Sequence, residues 1–313
     1  MGQLQTIFFL GKGGTGKSTA AALMAIALAA RGQKAILASF DDAHNQADIF
    51  KSPLSHIPVS LMPCLDALQI DREREIKKYL EKTARSVKKN YTYLTAFNLD
   101  HYFDVLKYAP GMEEYALISA FKALQNQYDW HDYLIIDMPP TALSLRFFNL
   151  PALSLVWMDQ LERLRLEIQE KKKIISRIKW GGREFERDRI LTDIREIRAD
   201  CLAVRDVFKD PLRSLLFVVF NSDVLAMAET RRIMKQLRAW NIQIRGLICN
   251  HRTREDTDGE PKENAFPSMS VLHMPFSPSP LVGLPALNQY AHRNHLFLDE
   301  LLRLPSQEES AYK

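Results

Sequence analysis

The chain has 313 residues, 46% apolar and 26% charged, a balance that excludes wholesale disorder and fits about two domains or one large fold carrying an insertion. Its formal net charge of +4 is too small for a dedicated nucleic-acid binder, so no nucleic-acid partner is expected. Three widely spaced cysteines, Cys64, Cys201 and Cys249, include no CxxC pair, which argues against a disulfide framework or a zinc clasp.

In chain order, Thr6-Ile7-Phe8-Phe9-Leu10 has the unbroken apolar character of a strand buried on both faces. Residues 11–16 hold four glycines, and the alanine-rich run 18–30 that follows favours a helix, closed by Gly32. The apolar part of that run, residues 20–30, is too short to span a bilayer, which needs about twenty residues, and it has no cleavage pattern. A soluble, cytoplasmic protein without a transmembrane segment is expected. Ala35-Ile36-Leu37-Ala38 supplies a second strand and completes a βαβ unit with parallel strands. Residues 72–127 are helix-like, with charges beside Tyr91, Tyr93, Phe97, Tyr102, Phe103 and Tyr108.

Tyr133-Leu134-Ile135-Ile136-Asp137 returns to the strand pattern. Residues 153–210 have the periodicity of an α-hairpin. One stripe runs through Leu153, Trp157, Leu161, Leu164, Ile168, Ile175 and Ile178; a second, after Gly181-Gly182, runs through Ile190, Ile194, Ile197, Cys201, Val204 and Phe208. Leu215-Leu216-Phe217-Val218-Val219-Phe220 and Ile244-Arg245-Gly246-Leu247-Ile248 are further strands joined by a crossover helix over 228–240, and Val271-Leu272-His273-Met274 is a weaker strand. The pieces predict an α/β protein with a mostly parallel sheet flanked by helices. Residues 1–71, 128–150 and 211–305 are expected to form the sheet core, which the motif below makes nucleotide-binding, with 72–127 and 151–210 an inserted α-helical subdomain and 306–313 a flexible tail.

Gly11-Lys12-Gly13-Gly14-Thr15-Gly16-Lys17-Ser18 satisfies the P-loop pattern G-x-x-x-x-G-K-[ST], between a buried strand and a helix. Glycines let the backbone wrap phosphates so that N–H groups and the positive helix end face the anion. Lys17 can reach the β- and γ-phosphates, and the Ser18 hydroxyl can ligate Mg²⁺, so ATP and Mg²⁺ are the expected cofactors. The expected nucleotide-binding set is Gly11, Lys12, Gly13, Gly14, Thr15, Gly16, Lys17, Ser18 and Thr19. Lys12 has two readings. It is either a solvated charge or the extra lysine of the deviant Walker A pattern K-G-G-x-G-K-[ST], which reaches a nucleotide across a dimer interface.

With this loop the chain resembles the arsenite-transporting (ArsA) ATPase family, which includes the eukaryotic ATPase for guided entry of tail-anchored proteins. Ser39-Phe40-Asp41-Asp42-Ala43-His44-Asn45 is similar to the family's switch I, and Asp137-Met138-Pro139-Pro140-Thr141-Ala142-Leu143-Ser144-Leu145-Arg146, with Leu150-Pro151 beyond it, to its switch II. Asp223-Val224-Leu225-Ala226-Met227-Ala228-Glu229-Thr230 and Pro110-Gly111-Met112-Glu113-Glu114 resemble two further family elements. The resemblance implies an ATPase in which hydrolysis drives a homodimeric switch, serving a client protein or a membrane permease for an anion of the arsenite type. It assigns Asp41, Lys12 and Lys17 to catalysis and gives Mg²⁺ to Ser18 and, through water, to Asp137. Asn250 would read the adenine, and Pro275 and Phe276 would pack the base. The residues alone leave Asp41 and Asp137 open to a capping role, Asn250 to a plain turn, and Pro275-Phe276 to an apolar turn.

Asp42 stands where the family has proline, placing a carboxylate beside the γ-phosphate position. Ala142 and Leu143 replace a Gly-His pair of switch II, which puts coupling to the client in question. The cysteines lack the surroundings of the family's metalloid ligands and are expected to be buried structural thiols. The competing reading is a deviant-Walker ATPase for metallocentre maturation or partitioning, as in CooC, MinD or ParA. The short segment 296–304, followed by Gln307-Glu308-Glu309, argues against a MinD-like membrane helix.

Overall fold

The computed structural model describes residues 3–43, 45–90, 106–180, 189–250, 266–267 and 269–303. His44, Tyr91, Tyr93, Phe97, Tyr102, Phe103, Gly181, Gly182 and the tail 306–313 lie outside the described residues.

The strands are β1 (Gln5–Leu10), β2 (Ala35–Ser39), β3 (Val59–Met62), β4 (Leu65–Gln69), β5 (Tyr133–Asp137), β6 (Ser214–Asn221), β7 (Gly246–Asn250) and β8 (Val271–Met274). They form one sheet in the order β3-β4-β2-β5-β1-β6-β7-β8. Every pairing is parallel except β3 with β4. The central strands are apolar runs because helices cover both their faces.

On one face lies α1 (Lys17–Ala29), in which every residue except Thr19 is buried. Its alanines allow close packing between the sheet and α2 (Asn45–Phe50), α8 (Leu284–Arg293) and α9 (His295–Arg303). The opposite face carries α4 (Met112–Gln127), α5 (Thr141–Trp180), α6 (Arg189–Lys209) and α7 (Val224–Ala239), and α3 (Arg72–Asn90) packs on α4. An aromatic cluster joins these helices to the sheet, with Phe8 and Phe121 centroids 5.7 Å apart and Phe148 and Phe208 centroids 4.8 Å apart. Among the described residues no helix is long and apolar enough to cross a membrane.

The α-hairpin of α5 and α6 forms, but α5 begins at Thr141, where only the stretch from 153 was expected to be helical. Leu143, Phe147 and Leu150 are buried at helical spacing and extend the helix backward, through Pro151, to the end of the β5 loop. Over residues 153–164 the apolar stripe of α5 is exposed and does not lie in the hairpin seam. Leu153, Trp157, Leu161 and Leu164 are exposed, as is Val156 beside them, with Trp157 at 63%. The seam instead includes the ion pairs Arg198–Asp159 at 2.7 Å and Arg195–Glu162 at 2.6 Å. The crossover helix α7 starts before residue 228, because the Asp223 carboxylate accepts from Ala226 N at 2.8 Å and caps it. The cysteines are not uniformly buried: Cys249 is, Cys201 is half-buried, and Cys64 is exposed at φ 64 in the turn between β3 and β4, a hairpin the sequence reading did not find.

Candidate active site

The sheet register lines up the carboxyl ends of β4, β2, β5 and β1 beside the middle of β6. Gln69, Ser39, Asp137, Phe9 and Phe217 form one row across β4, β2, β5, β1 and β6. Beyond that row lie the glycine loop, Asp41, Asn250 and Pro275-Phe276. Open α/β sheets place ligands along this edge.

The glycine loop closes on itself. The Lys12 carbonyl accepts from Thr15 N at 3.4 Å, Thr15 Oγ1 at 2.9 Å and Lys17 Nζ at 3.3 Å. Gly11, at φ 146, lies so close to β6 that an added Cβ would meet Val219 O at 2.1 Å. Gly16, at φ 92, caps α1, and a Cβ there would meet Asn250 Nδ2 at 2.5 Å. Among the described residues nothing lies within 4 Å of where a Cβ on Gly13 would stand. Gly11→Ala is therefore expected to cost more than about 1 kcal/mol of stability, because a backbone carbonyl cannot swing aside. Gly13→Ala should stay within about 0.5 kcal/mol of wild type. Thermal unfolding of the two variants checks the contrast; equal losses would contradict the loop geometry.

Lys17 is buried, and that burial lowers its pKa from the ordinary lysine value. Asp137, Asp41 and Glu229 oppose the shift, so one ammonium sits within reach of three carboxylates. Asp137 is fully buried, and its carboxyl is pushed up to about 6 by desolvation, against the pull of Ser18, Gln46 and Lys17. Gln46 Nε2 donates to Asp137 Oδ2 at 3.0 Å and to Ser18 O at 2.9 Å, fixing α1 against the end of β5. Asp137 Oδ1 is buried and has no hydrogen-bond partner among the described residues.

Asp41 follows β2 and is 9% exposed. Among the described residues its carboxylate has only long contacts, Oδ1 with Ala43 N at 3.3 Å and Oδ2 with Asn45 Nδ2 at 3.5 Å. Its backbone oxygen is gripped more firmly, by Gln69 Nε2 at 2.6 Å. Asp42 is not free beside the loop: it pairs with Arg72 of α3. Leu143 is buried in the core and Ala142 is exposed.

The structure thus brings Gly11, Lys12, Gly13, Gly14, Thr15, Gly16, Lys17, Ser18, Thr19, Asp41 and Asp137 to one edge of the sheet. Asn250 also reaches the loop, donating from Nδ2 to Thr15 O at 3.0 Å. Pro275 and Phe276 lie farther along, after β8, where Tyr290 Oη donates to Pro275 O. The sequence reading missed Gln46, Gln69 and the place of Glu229 near Lys17. A buried glutamine just after an aspartate-rich turn was the available signal for Gln46.

A family profile described as an anion-transporting ATPase matches residues 4–293. The chain belongs to the ArsA ATPase family. A protein of Aquifex aeolicus named for an arsenical pump-driving ATPase is 24% identical over 303 residues, covering 92% of this chain and 98% of its own. The Arabidopsis thaliana ATPase GET3A is 24% identical, covering 93% and 83%. An ASNA1 homologue of Paramecium tetraurelia is 26% identical, covering 79% and 75%. As a member of the ArsA family the chain is an ATPase.

Magnesium fits this ArsA-type site by its donor chemistry. Asp137 Oδ1 is an orphaned hard oxygen on the strand end facing Ser18, and among the described residues no cluster of three or more His, Cys, Asp or Glu could hold a metal. A cation that keeps water and takes phosphate oxygens needs no such cluster.

Proposed function

We propose that the chain hydrolyses Mg-ATP at the residue 11–18 loop and uses the cycle to drive a homodimeric switch for a client protein. The observation that carries this reading is the setting of Lys17, a buried ammonium among three carboxylates beside the orphaned Asp137 oxygen. Residues 1–71, 128–150 and 211–305 serve as the nucleotide core, and 72–127 with 151–210 as the helical part that handles the client.

Lys17 would neutralise the β- and γ-phosphates, and the loop amides would cradle them. Ser18 and, through water, Asp137 would hold Mg²⁺, which spreads the charge building on the transferred phosphoryl group. Asp41 would orient the attacking water, its weakly held carboxylate leaving room for that partner. Asn250 would read the adenine from its place against Thr15, and Pro275-Phe276 would pack the base. Lys12 would reach the nucleotide of the second subunit.

The exposed stripe Leu153, Val156, Trp157, Leu161 and Leu164 on α5 supports a client of apolar character over an anion, since apolar patches of this kind mark interaction surfaces. Arsenical pumping, named for the Aquifex relative, has less support here, because Cys64, Cys201 and Cys249 differ in burial and form no metal cluster among the described residues. Co-purification with ATP-trapped protein tests the choice. Apolar client segments are expected, and a membrane anion permease would overturn the client reading.

The raised Asp137 carboxyl gives a pH signature. Below about 6 it is protonated and loses its hold on a hydrated cation, so the magnesium-dependent gain in ATP affinity should vanish as pH falls through about 6. The opposite trend is expected for the stability of the metal-free protein. There the folded carboxyl binds its proton more tightly than the unfolded one, so its contribution to stability is complete below 3.8 and lost as pH rises through about 6. Calorimetry with and without magnesium on either side of pH 6 checks the first. A magnesium effect independent of pH would contradict it.

A further inference from the structure

The connection from β4 to α3 grips the loop after β2 at two consecutive residues. Gln69, ending β4, holds the Asp41 carbonyl, and Arg72, opening α3, pairs with the Asp42 carboxylate. Asp71 fixes the start of α3 by accepting from Arg74 N at 3.0 Å, so Arg72 leaves a defined helix end. Ile70 N donates to Ser39 O at 2.9 Å, which joins the same connection to β2 itself.

Arg72 also reaches the helical layer, donating from Nη1 to Glu113 Oε2 of α4 at 3.1 Å. It is the least exposed of the three, at 21% against 47% for Asp42 and 49% for Glu113. The next residue of α4, Glu114, is buried and pairs with Arg146 near the start of α5. Neighbouring carboxylates in the first turn of α4 therefore connect to both segments that frame the nucleotide edge, Glu113 through Arg72 to the one leading from β2 and Glu114 directly to the one leading from β5.

We infer that Arg72 is a positioning residue for hydrolysis, setting Asp41 through the adjoining Asp42 and tying that loop to α4. Among the described residues the Asp41 carboxylate has only long contacts, so its direction follows from the path of its backbone, and that path is held by the β4–α3 connection at Ser39, Asp41 and Asp42. A half-exposed ion pair adds little to stability, so a role in folding alone would leave turnover unchanged when it is removed. Small misplacements of a reacting group do change turnover. The inference rests on the reading of Asp41 as the residue that orients water.

The test is a double-mutant cycle of Arg72→Ala and Asp42→Asn, read by kcat, KM and calorimetric ATP affinity. Each single variant is expected to lose about 10- to 100-fold in kcat with KM and affinity unchanged. The double variant should be no worse than either, and Arg72→Lys should recover part of the loss. Wild-type kcat in Arg72→Ala, additive losses, or a loss of affinity in parallel with kcat would each overturn the inference. Asp41→Asn serves as the separate control. Wild-type turnover there would sink the assignment of Asp41 itself, whereas a dead Asp41→Asn beside a fully active Arg72→Ala would reject only the role of Arg72.

Discussion

Asp41→Asn is expected to lower ATP turnover by about 10²- to 10⁴-fold while ATP affinity stays near wild type. Asparagine keeps the shape and can still accept from Ala43 N, so the loop after β2 should hold its path. The Gln69 grip on the Asp41 carbonyl is a backbone contact that the substitution leaves intact. What disappears is the charge that orients and polarises water. One carboxylate also leaves the surroundings of Lys17, which favours an anionic ligand there and keeps binding from suffering. Single-turnover hydrolysis beside calorimetry measures both quantities. Equal turnover would exclude Asp41 from the chemistry.

Lys12→Ala is expected to cost about 10³-fold or more in hydrolysis and to abolish ATP-favoured closure of two subunits, with ATP binding retained. The loop depends on the Lys12 carbonyl, which receives Thr15 and Lys17, and alanine supplies the same carbonyl. Among the described residues the Lys12 ammonium has no ion-pair partner. A P-loop alone neutralises the transferring phosphoryl group poorly, and a cation from a second subunit supplies the missing charge. Sedimentation with a non-hydrolysable ATP analogue should show a dimer for wild type and none for the variant. A variant that hydrolyses ATP at the wild-type rate would return Lys12 to a surface charge.

The parallel strands were legible because burial on both faces leaves an apolar run with few polar interruptions, as in Ile7-Phe8-Phe9-Leu10 and Val218-Val219-Phe220. The hairpin of β3 and β4 was not. Its edge strand is only partly buried, and Asp66 and Gln69 interrupt the β4 pattern. Losing β4 meant losing Gln69 and the place of Arg72, and with them the support of Asp41 and Asp42. The glycine loop was legible because its chemistry demands fixed residue types at fixed spacing, whereas Asp41 and Asp137 were singled out only through the resemblance of their segments to the family's switches. The α5 stripe gave the α-hairpin and no more, because periodicity shows that one helix face is apolar, not what covers it. Here Leu155 is buried while Leu153, Val156 and Trp157 face outward.

The assignment of the nucleotide site itself is tested most directly by titrating Mg-ATP into wild-type protein and into Lys17→Ala by calorimetry. Lys17 is the buried cation whose charge Asp137, Asp41 and Glu229 favour, so its loss should leave those carboxylates unopposed and the site repelling phosphate. Wild type is predicted to bind one nucleotide per chain, and Lys17→Ala to bind weaker by orders of magnitude while unfolding cooperatively. Unchanged ATP affinity in a folded Lys17→Ala protein would contradict the account.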